Sequence, residues 1–405
     1  MRKYILIVPT ILLFTILVSA APNAWRRVTD MTWKRERAVS FVINSKAYFG
    51  MGQDSANFTM KDLWEYDPIT DTYTQKADLP GLGRRDAFGF AIGTKGYVGG
   101  GIDTAIFDAL RVLKDFYEFN PANNSWTQKA DMLNEIFFLT AFAINGKGYT
   151  VCGKTGQANY TDNVYEYDPG NDGWNKVSDF PPGVRYGMSS FVIGNKAYMG
   201  FGGDDNLFKY DFYEFNPGNN YSWAQKMDFP TAGRTGASAF AIGNYGYISC
   251  GNDGGFKKDC WEYNSITDNW VQRSDIQGDI RKSALAFSIG TKGYLGGGKS
   301  DDGTKRDLQE YSQIYEGVEN ISSFSSSIKL YPNPFTDFTT LTLDNFNSKD
   351  ATTLIIYDSK GAIVENKKIT ATSTTISKSN LEDGIYYVVM NVNGKAVTST
   401  KMCIQ

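Results

Sequence analysis

Two short phrases recur six times along this sequence, and this recurrence constrains the fold more strongly than any other feature. The first phrase has a tyrosine among small and apolar residues, with successive copies 47 to 52 residues apart: Tyr48, Tyr97, Tyr149, Tyr198, Tyr247 and Tyr294. The second phrase has a glutamate: Glu65, Glu118, Glu166, Glu214, Glu262 and Glu310. Strand-forming residues and glycine-bearing turns between them predict four short antiparallel strands per unit. The sequence therefore predicts an all-β array of stacked four-stranded sheets.

A third phrase indicates how the array closes. It is an aromatic residue followed five positions later by aspartate, and it comes after five of the second phrases: Tyr73 with Asp78, Trp126 with Asp131, Trp174 with Asp179, Trp223 with Asp228, and Trp270 with Asp275. The missing copy stands near the start of the chain as Trp25 and Asp30. We therefore expect the N-terminal segment to supply the outer strand of the last sheet, which would leave no exposed edge at the junction.

Together these phrases resemble the Kelch repeat. Its glycine pair follows the second strand as Gly99-Gly100, Gly202-Gly203 and Gly296-Gly297, and cysteine replaces the first glycine at Cys152-Gly153 and Cys250-Gly251. An aromatic residue ahead of Glu-Tyr-Asp-Pro and a later tryptophan complete the pattern. The resemblance covers residues 24–315 and implies a six-bladed Kelch β-propeller, which we assign to residues 21–317.

The first twenty residues have the features of a secretory signal peptide. Arg2 and Lys3 precede an apolar run from Ile5 to Val18, and small residues follow up to Ala20. The run is shorter than the roughly 18 to 20 residues that span a bilayer, so we expect cleavage after residue 20 and no transmembrane segment in the mature chain.

The last eighty or so residues lose the repeat. A serine-rich linker is predicted at residues 318–327, followed by Tyr331-Pro332-Asn333-Pro334, a Tyr357-Asp358 turn, Leu381 to Tyr386, and a late Lys401. This order resembles the type A C-terminal sorting domain of type IX secretion cargo. The resemblance implies an immunoglobulin-like β-sandwich at residues 328–405 that engages the type IX secretion machinery. The protein would then be secreted or attached to the outer cell surface, and an ordinary accessory sandwich is the alternative.

Composition excludes several functions. The sequence has no histidine, which removes His-dependent triads and His-ligated zinc or copper. A formal charge of -3 gives no basic footprint for nucleic acid.

Residues 293–300 match a phosphate-loop pattern by letter, but they belong to a repeat strand and precede no helix. We therefore expect no metal and no cofactor. Whether Cys250 and Cys260 pair stays open.

Five arginines recur eight residues before the isoleucine that ends each first strand: Arg35, Arg84, Arg185, Arg234 and Arg281. The third repeat has Ile136 in their place. First strands line the channel of a propeller, so these arginines should gather near its mouth. The loops between second and third strands would bring aromatic residues to the same face: Phe58, Phe107, Tyr160, Phe208 and Phe256.

These ten residues are the predicted ligand-binding set, since guanidinium groups suit anions and aromatic faces suit sugar rings. The alternative is that the arginines form salt bridges between blades with recurring aspartates. The third-repeat break and the loop from Ile102 to Lys114 are the asymmetric part of this face.

The sequence favours a non-enzymatic extracellular interaction protein that recognises a glycan or a polypeptide. The alternative is a sugar epimerase or mutarotase, because the chain resembles N-acetylneuraminate epimerases in its Kelch architecture and channel-mouth arginines. Catalysis would then fall to arginines and to carboxylates such as Glu36, Asp86, Glu135 and Asp279. The ligand, the oligomeric state, and the choice between release and surface anchoring are not assigned.

Overall fold

The computed structural model describes residues 24–104, 111–156, 159–204, 207–313, 328–343, 352–358, 363–378, 381–392 and 395–405. The chain divides into two compact units between Gln313 and Ile314. The predicted signal peptide and linker lie outside the described residues, as does the predicted end of the propeller at residue 317. The predicted domain limits remain predictions.

The first unit consists of short β-strands. In chain order they are β1 (Ala24–Arg27), β2 (Val39–Ile43), β3 (Lys46–Gly50), β4 (Leu63–Asp67), β5 (Thr72–Lys76), β6 (Phe88–Ile92), β7 (Lys95–Gly99), β8 (Ile102–Asp103), β9 (Arg111–Val112), β10 (Phe116–Asn120), β11 (Ser125–Lys129), β12 (Thr140–Ile144), β13 (Lys147–Lys154), β14 (Tyr160–Asp168), β15 (Gly173–Asp179), β16 (Tyr186–Ile193), β17 (Lys196–Gly203), β18 (Phe212–Asn216), β19 (Ser222–Gln225), β20 (Ser238–Ile242), β21 (Tyr245–Ser249), β22 (Cys260–Asn264), β23 (Asn269–Arg273), β24 (Leu285–Ile289), β25 (Lys292–Gly296), β26 (Lys299–Ser300), β27 (Gly303–Thr304) and β28 (Leu308–Ser312).

These strands form six four-stranded antiparallel sheets, one per repeat, together with two small hairpins, β8-β9 and β26-β27. The first strands of the six sheets contact one another in cyclic order: β2, β6, β12, β16, β20, β24 and back to β2. Small residues on these strands face the first strand of a neighbouring blade: a Cβ at Gly89 would meet Val39 at 3.2 Å, and the Ser40 hydroxyl donates to the Ala286 carbonyl at 2.9 Å. The six first strands can therefore pack closely against one another. The all-β propeller prediction is confirmed, and each sheet is one blade.

The two recurring phrases of the sequence meet across the middle strands of each blade. Tyr48 lies opposite Glu65 in the β3-β4 register, and its hydroxyl donates to the Glu65 carboxylate at 2.8 Å. The same hydrogen bond recurs in the other five blades: Tyr97 with Glu118, Tyr149 with Glu166, Tyr198 with Glu214, Tyr247 with Glu262, and Tyr294 with Glu310. The repeated tyrosine and glutamate are therefore structural partners.

Acid should destabilise the propeller through Glu65. Burial raises the pKa of Glu65, but hydrogen bonds from Lys46, Lys76 and Tyr48 outweigh it and lower the pKa from 4.5 to about 2. A lowered pKa in the folded state stabilises the protein above the unfolded pKa, and this contribution is lost as the pH falls through the folded pKa. We expect the melting temperature to fall between pH 5 and pH 2, and Glu65→Gln to make that fall shallower. Equal slopes for the two proteins would contradict this assignment.

The N-terminal strand closes the ring. β1 pairs with β28 as the outer strand of the sixth blade, with Trp25 opposite Tyr311. The Trp25 ring is buried, packs against Phe240 and Tyr311 at centroid distances of 6.0 and 5.0 Å, and donates its indole N–H to the Ser274 carbonyl at 3.0 Å. The closure predicted from the Trp25 and Asp30 spacing is confirmed.

The second unit is a small sandwich. Its strands are β29 (Ile328–Tyr331), β30 (Phe338–Leu343), β31 (Thr352–Tyr357), β32 (Ile363–Ile369), β33 (Ser373–Ser377), β34 (Gly384–Val392) and β35 (Lys395–Ile404). The two sheets have the orders β29-β30-β33 and β32-β31-β34-β35. They enclose one apolar core that includes Leu341, Ile356, Val388 and Met402. No helix in the described part of the chain is long and apolar enough to cross a membrane.

Candidate functional site at the channel mouth

The five recurring arginines are buried and paired within the fold. Arg84 is 0% exposed; its guanidinium donates to both Asp115 carboxylate oxygens at 2.7 and 2.8 Å and to the Gly100 carbonyl at 3.1 Å. The other four arginines each bind an aspartate through two bonds in the same way: Arg35 with Asp62, Arg185 with Asp211, Arg234 with Asp259, and Arg281 with Asp307. We call each pair a clamp.

Each clamp joins two blades. The backbone of Arg84 bonds to the first blade, because its N–H donates to the Met60 carbonyl and its own carbonyl accepts from Gly52. Its side chain holds Asp115 of the second blade. This geometry matches the salt-bridge alternative of the sequence analysis. The N–H groups of these arginines donate to aspartate carboxylates of the propeller itself. We therefore do not propose that the arginines contact a ligand.

The predicted aromatic residues are distributed unevenly. Phe58 is 68% exposed and Phe208 is 37% exposed, so both stand on the outer part of the face. Tyr160 and Phe256 are half-buried and contact lysine side chains, as described below. Phe107 lies outside the described residues.

A ring of backbone hydrogen bonds surrounds the axis on this face. Each blade contributes one residue to this ring, which stands two positions after the clamp arginine, or after Ile136 in the third blade. The backbone N–H of each ring residue donates to the backbone carbonyl of the ring residue in the preceding blade, at 2.8 to 3.3 Å. The six ring residues are Arg37, Asp86, Phe138, Gly187, Gly236 and Ser283. All have positive φ between 53° and 63°, a conformation that non-glycine residues adopt rarely and that is concentrated at functional sites.

Charged side chains of this ring and its neighbours form what we call the mouth cluster: Glu36, Arg37, Arg85, Asp86, Lys282 and Lys299. Arg37 donates to Asp86 at 2.8 Å and lies 3.6 Å from the Glu36 carboxylate. The Arg85 guanidinium nitrogen Nη1 lies 3.6 Å from Asp86 Oδ2, and the Lys299 ammonium nitrogen lies 3.9 Å from Glu36 Oε1. Both carboxylates are buried, at 1% and 6% exposure. Three basic groups therefore pair with two acidic ones, and Lys282 lies within reach of the same charges.

The electrostatic effect of this imbalance is visible at Lys282. Burial lowers the pKa of its ammonium group, and the nearby positive charges of Arg37 and Lys299 lower it further. Its ammonium nitrogen lies 5.1 Å from the centroid of the Phe256 ring. An anion placed in the mouth would relieve this repulsion, so the cluster favours a negatively charged guest.

An aromatic stack continues the mouth cluster toward the third and fourth blades. The Arg37 guanidinium lies over the Phe138 ring at 5.7 Å, and the Phe138 ring is 5.6 Å from Tyr186. Tyr186 in turn stacks on Tyr160 at 5.5 Å and 19°. The Lys154 ammonium lies 4.3 and 4.9 Å from the two tyrosine ring centroids. Flat aromatic faces beside cations are suited to a sugar ring that carries an acid group.

Only part of this site was predicted from the sequence. Glu36 and Asp86 were named as candidate catalytic carboxylates, and both belong to the mouth cluster. Asp279 instead forms an ion pair with Lys305 at 2.5 Å, and Glu135 is exposed on the third blade. Arg37, Arg85, Lys282 and Lys299 were missed. A signal was present for two of them: Arg85 and Lys282 directly follow clamp arginines, at a position that is Glu36 in the first repeat and so differs from blade to blade.

Other chemistry finds little support in the described residues. They contain no group of three or more His, Cys, Asp and Glu side chains placed to hold a metal ion. Cys152, Cys250 and Cys260 are buried and unpaired in this structure, and burial raises the pKa of the Cys250 thiol to about 12. Such thiols are poor nucleophiles.

Comparison with known proteins supports both parts of the chain. Residues 329–405 match the family model described as "Secretion system C-terminal sorting domain". Kelch-like protein 25 of Xenopus tropicalis is 27% identical over 193 residues, which is 46% of this chain and 32% of that protein. N-acetylneuraminate epimerase of Yersinia enterocolitica is 29% identical over 125 residues, 29% of this chain and 31% of the enzyme. The chain thus spans about a third of the length of these relatives.

A solved structure, "Structure of YjhT", superimposes with a TM-score of 0.61 at 16% identity over 69% of this chain and 96% of that one. At this identity the likeness shows the fold alone. The sorting domain indicates export by type IX secretion to a secreted or surface-attached state. The chain is therefore an exported protein that combines a Kelch-type β-propeller with a secretion system C-terminal sorting domain.

Proposed function

We propose that this protein is an extracellular binding protein whose channel mouth holds a saccharide that carries a carboxylate. The observation that supports this most strongly is the mouth cluster, where three basic side chains pair with two buried carboxylates and a fourth, Lys282, lies within reach of their charges. The sugar carboxylate would lie against Arg85 and Lys282, and its ring would lie on the aromatic stack of Phe138, Tyr186 and Tyr160. A polypeptide ligand is the alternative occupant of the same face.

The affinity of the mature full-length chain for acidic and neutral sugars tests this proposal. Calorimetric titrations would compare glucuronate with glucose, and N-acetylneuraminate with N-acetylmannosamine. Because hydrogen bonds to charged groups contribute roughly 1.5 to 3 kcal/mol each, the acid of at least one pair should bind about tenfold or more tightly than its neutral counterpart. Equal or absent binding of all four sugars would contradict the proposal.

Removing two mouth charges should weaken this binding selectively. Arg85→Gln with Lys282→Gln is expected to lower the affinity for the acidic sugar by about tenfold or more, since about 1.4 kcal/mol corresponds to a factor of ten. The melting temperature should change little, because burial and the nearby Arg37 charge lower the pKa of both Arg85 and Lys282, so their charged forms are disfavoured in the unliganded protein. The matched control is Lys95→Gln with Lys176→Gln, which removes two charges outside the mouth. If both double variants weaken binding equally, general electrostatics rather than the mouth holds the ligand.

A second candidate function is epimerisation of a free acidic sugar. It is favoured by the similarity to N-acetylneuraminate epimerases of Yersinia enterocolitica and Vibrio cholerae, the latter 27% identical over 36% of this chain and 38% of the enzyme. Glu36 and Asp86 would be the acid and base groups. Anomer exchange of N-acetylneuraminate, followed by NMR with wild-type protein and with Glu36→Gln, separates the candidates. Accelerated exchange that Glu36→Gln abolishes would establish catalysis.

A further inference from the structure

The third blade lacks the clamp, and a polar cleft lies at that position. Ile136 is buried where the other blades have arginine, and Asn163 stands where they have aspartate. The two amides Asn134 and Asn163 instead donate to the Tyr165 hydroxyl at 2.5 and 2.8 Å. The clamp side chains that occupy this place in the other blades are therefore absent from this one.

We call the resulting cleft the third-blade cleft. It is lined by both hydrogen-bond donors and hydrogen-bond acceptors. Its lining residues are Lys114, Asn134, Glu135, Thr155, Tyr160, Thr161 and Asn163, with Leu133 as an apolar member. The lysine and amide groups donate, the carboxylate accepts, and the hydroxyls do both. Sugar hydroxyl groups need this mixture of partners, because each one is both donor and acceptor.

The cleft is continuous with the mouth through Tyr160. This residue lines the cleft, and its ring also stacks on Tyr186 of the aromatic stack at 5.5 Å. Lys154, which precedes the cleft residue Thr155 in the chain, lies over both rings. A guest whose acid sugar lies in the mouth could therefore extend over Tyr160 into the cleft without leaving the protein surface.

We propose that the third-blade cleft is a subsite for an uncharged sugar residue, so that the ligand is an acidic oligosaccharide rather than a free acidic monosaccharide. This inference rests on the proposed function of the mouth. The charged residue of the oligosaccharide occupies the mouth cluster, and the next residue or residues occupy the cleft. The cleft adds affinity and selects for chain length, while the mouth selects for the acid group.

The test compares monosaccharides with trisaccharides that carry the same acid. Calorimetric titrations of the mature full-length chain would use N-acetylneuraminate with 3′-sialyllactose, and glucuronate with glucuronosyl-xylobiose. We expect the trisaccharide of the preferred acid to bind about tenfold more tightly than its monosaccharide, a difference of about 1.4 kcal/mol. Lys114→Ala with Glu135→Ala should abolish this gain and leave monosaccharide affinity unchanged. Both side chains are exposed, so the variant should fold normally.

The mouth variant Arg85→Gln with Lys282→Gln should weaken both ligands, which separates the two proposals. If monosaccharide and trisaccharide bind equally, or if the trisaccharide advantage survives the Lys114 and Glu135 changes, the cleft subsite is wrong and the mouth proposal stands. If neither acid binds in any form, both proposals fail.

Discussion

A mature chain that lacks residues 21–32 is expected to melt about 10 °C or more below the full-length protein and to aggregate. The deletion removes β1 and leaves β28 as an unpaired edge in the sixth blade, and such edges pair with other chains. It also empties the site of the buried Trp25 ring between Phe240 and Tyr311. Removal of a buried tryptophan alone costs about 3 to 5 kcal/mol.

The matched control keeps the strand but changes an exposed side chain. Arg27→Ala leaves the β1 backbone and Trp25 in place, and the Arg27 side chain is 61% exposed and pairs only with the partly exposed Asp30 among the described ion pairs. This variant should melt within a few degrees of wild type, since exposed ion pairs contribute roughly 0 to 1 kcal/mol. Differential scanning calorimetry and size-exclusion chromatography measure both effects. A deletion variant that is monomeric with an unchanged melting temperature would show that β1 does not close the ring.

Asp115→Ala should destabilise the propeller by about 3 to 5 kcal/mol, because it leaves the Arg84 guanidinium buried without its partner. Arg84 is fully buried and makes two bonds to Asp115, so the loss of the carboxylate leaves its guanidinium without a charged partner. Chemical denaturation at neutral pH measures this change in the free energy of unfolding. Ligand affinity per folded molecule should be unchanged, since neither Arg84 nor Asp115 belongs to the mouth cluster.

The third blade supplies the control for this prediction. Its buried Ile136 and its Asn163 stand where the other blades have the clamp, so the fold accepts an uncharged pair of this kind. Arg84→Ile with Asp115→Asn reproduces that arrangement in the second blade and should cost less than Asp115→Ala alone, because no buried charge is left unpaired. A double variant that is less stable than the single one would contradict the role of the clamp as a replaceable structural pair.

Much of the propeller could be predicted because its repeats are local. Each tyrosine meets a glutamate of the same unit across two adjacent strands, so a period in the sequence becomes a period in space. Closure of the ring was predictable because Trp25 and Asp30 have the five-residue spacing of the third phrase. They supply the copy of that phrase that is missing from the last repeat. Sequence order alone could not place the loops that carry Phe58 and Phe208, because loop direction depends on turns that do not repeat.

The candidate site was harder to predict because a recurring arginine can face either a ligand or the fold. The arginines were found, but their partners lie 25 to 31 residues later in the chain, and only the fold brings them together. One signal was present in the sequence. The arginine and its aspartate are lost together in the third repeat, as Ile136 and Asn163, which is the behaviour of a contacting pair. Residues that vary after each arginine, such as Arg85 and Lys282, were the better indicators of a specific site.

A crystal structure of the full-length mature protein with an acidic trisaccharide bound would test the central claim most directly. The account predicts that the sugar carboxylate lies within hydrogen-bond distance of Arg85 or Lys282, with its ring against Tyr186 or Phe138. The clamp arginines should keep their aspartate partners unchanged, including Arg84 on Asp115. A trisaccharide bound on the opposite face, or one held by Arg84 or Arg234 after release of their aspartates, would contradict it.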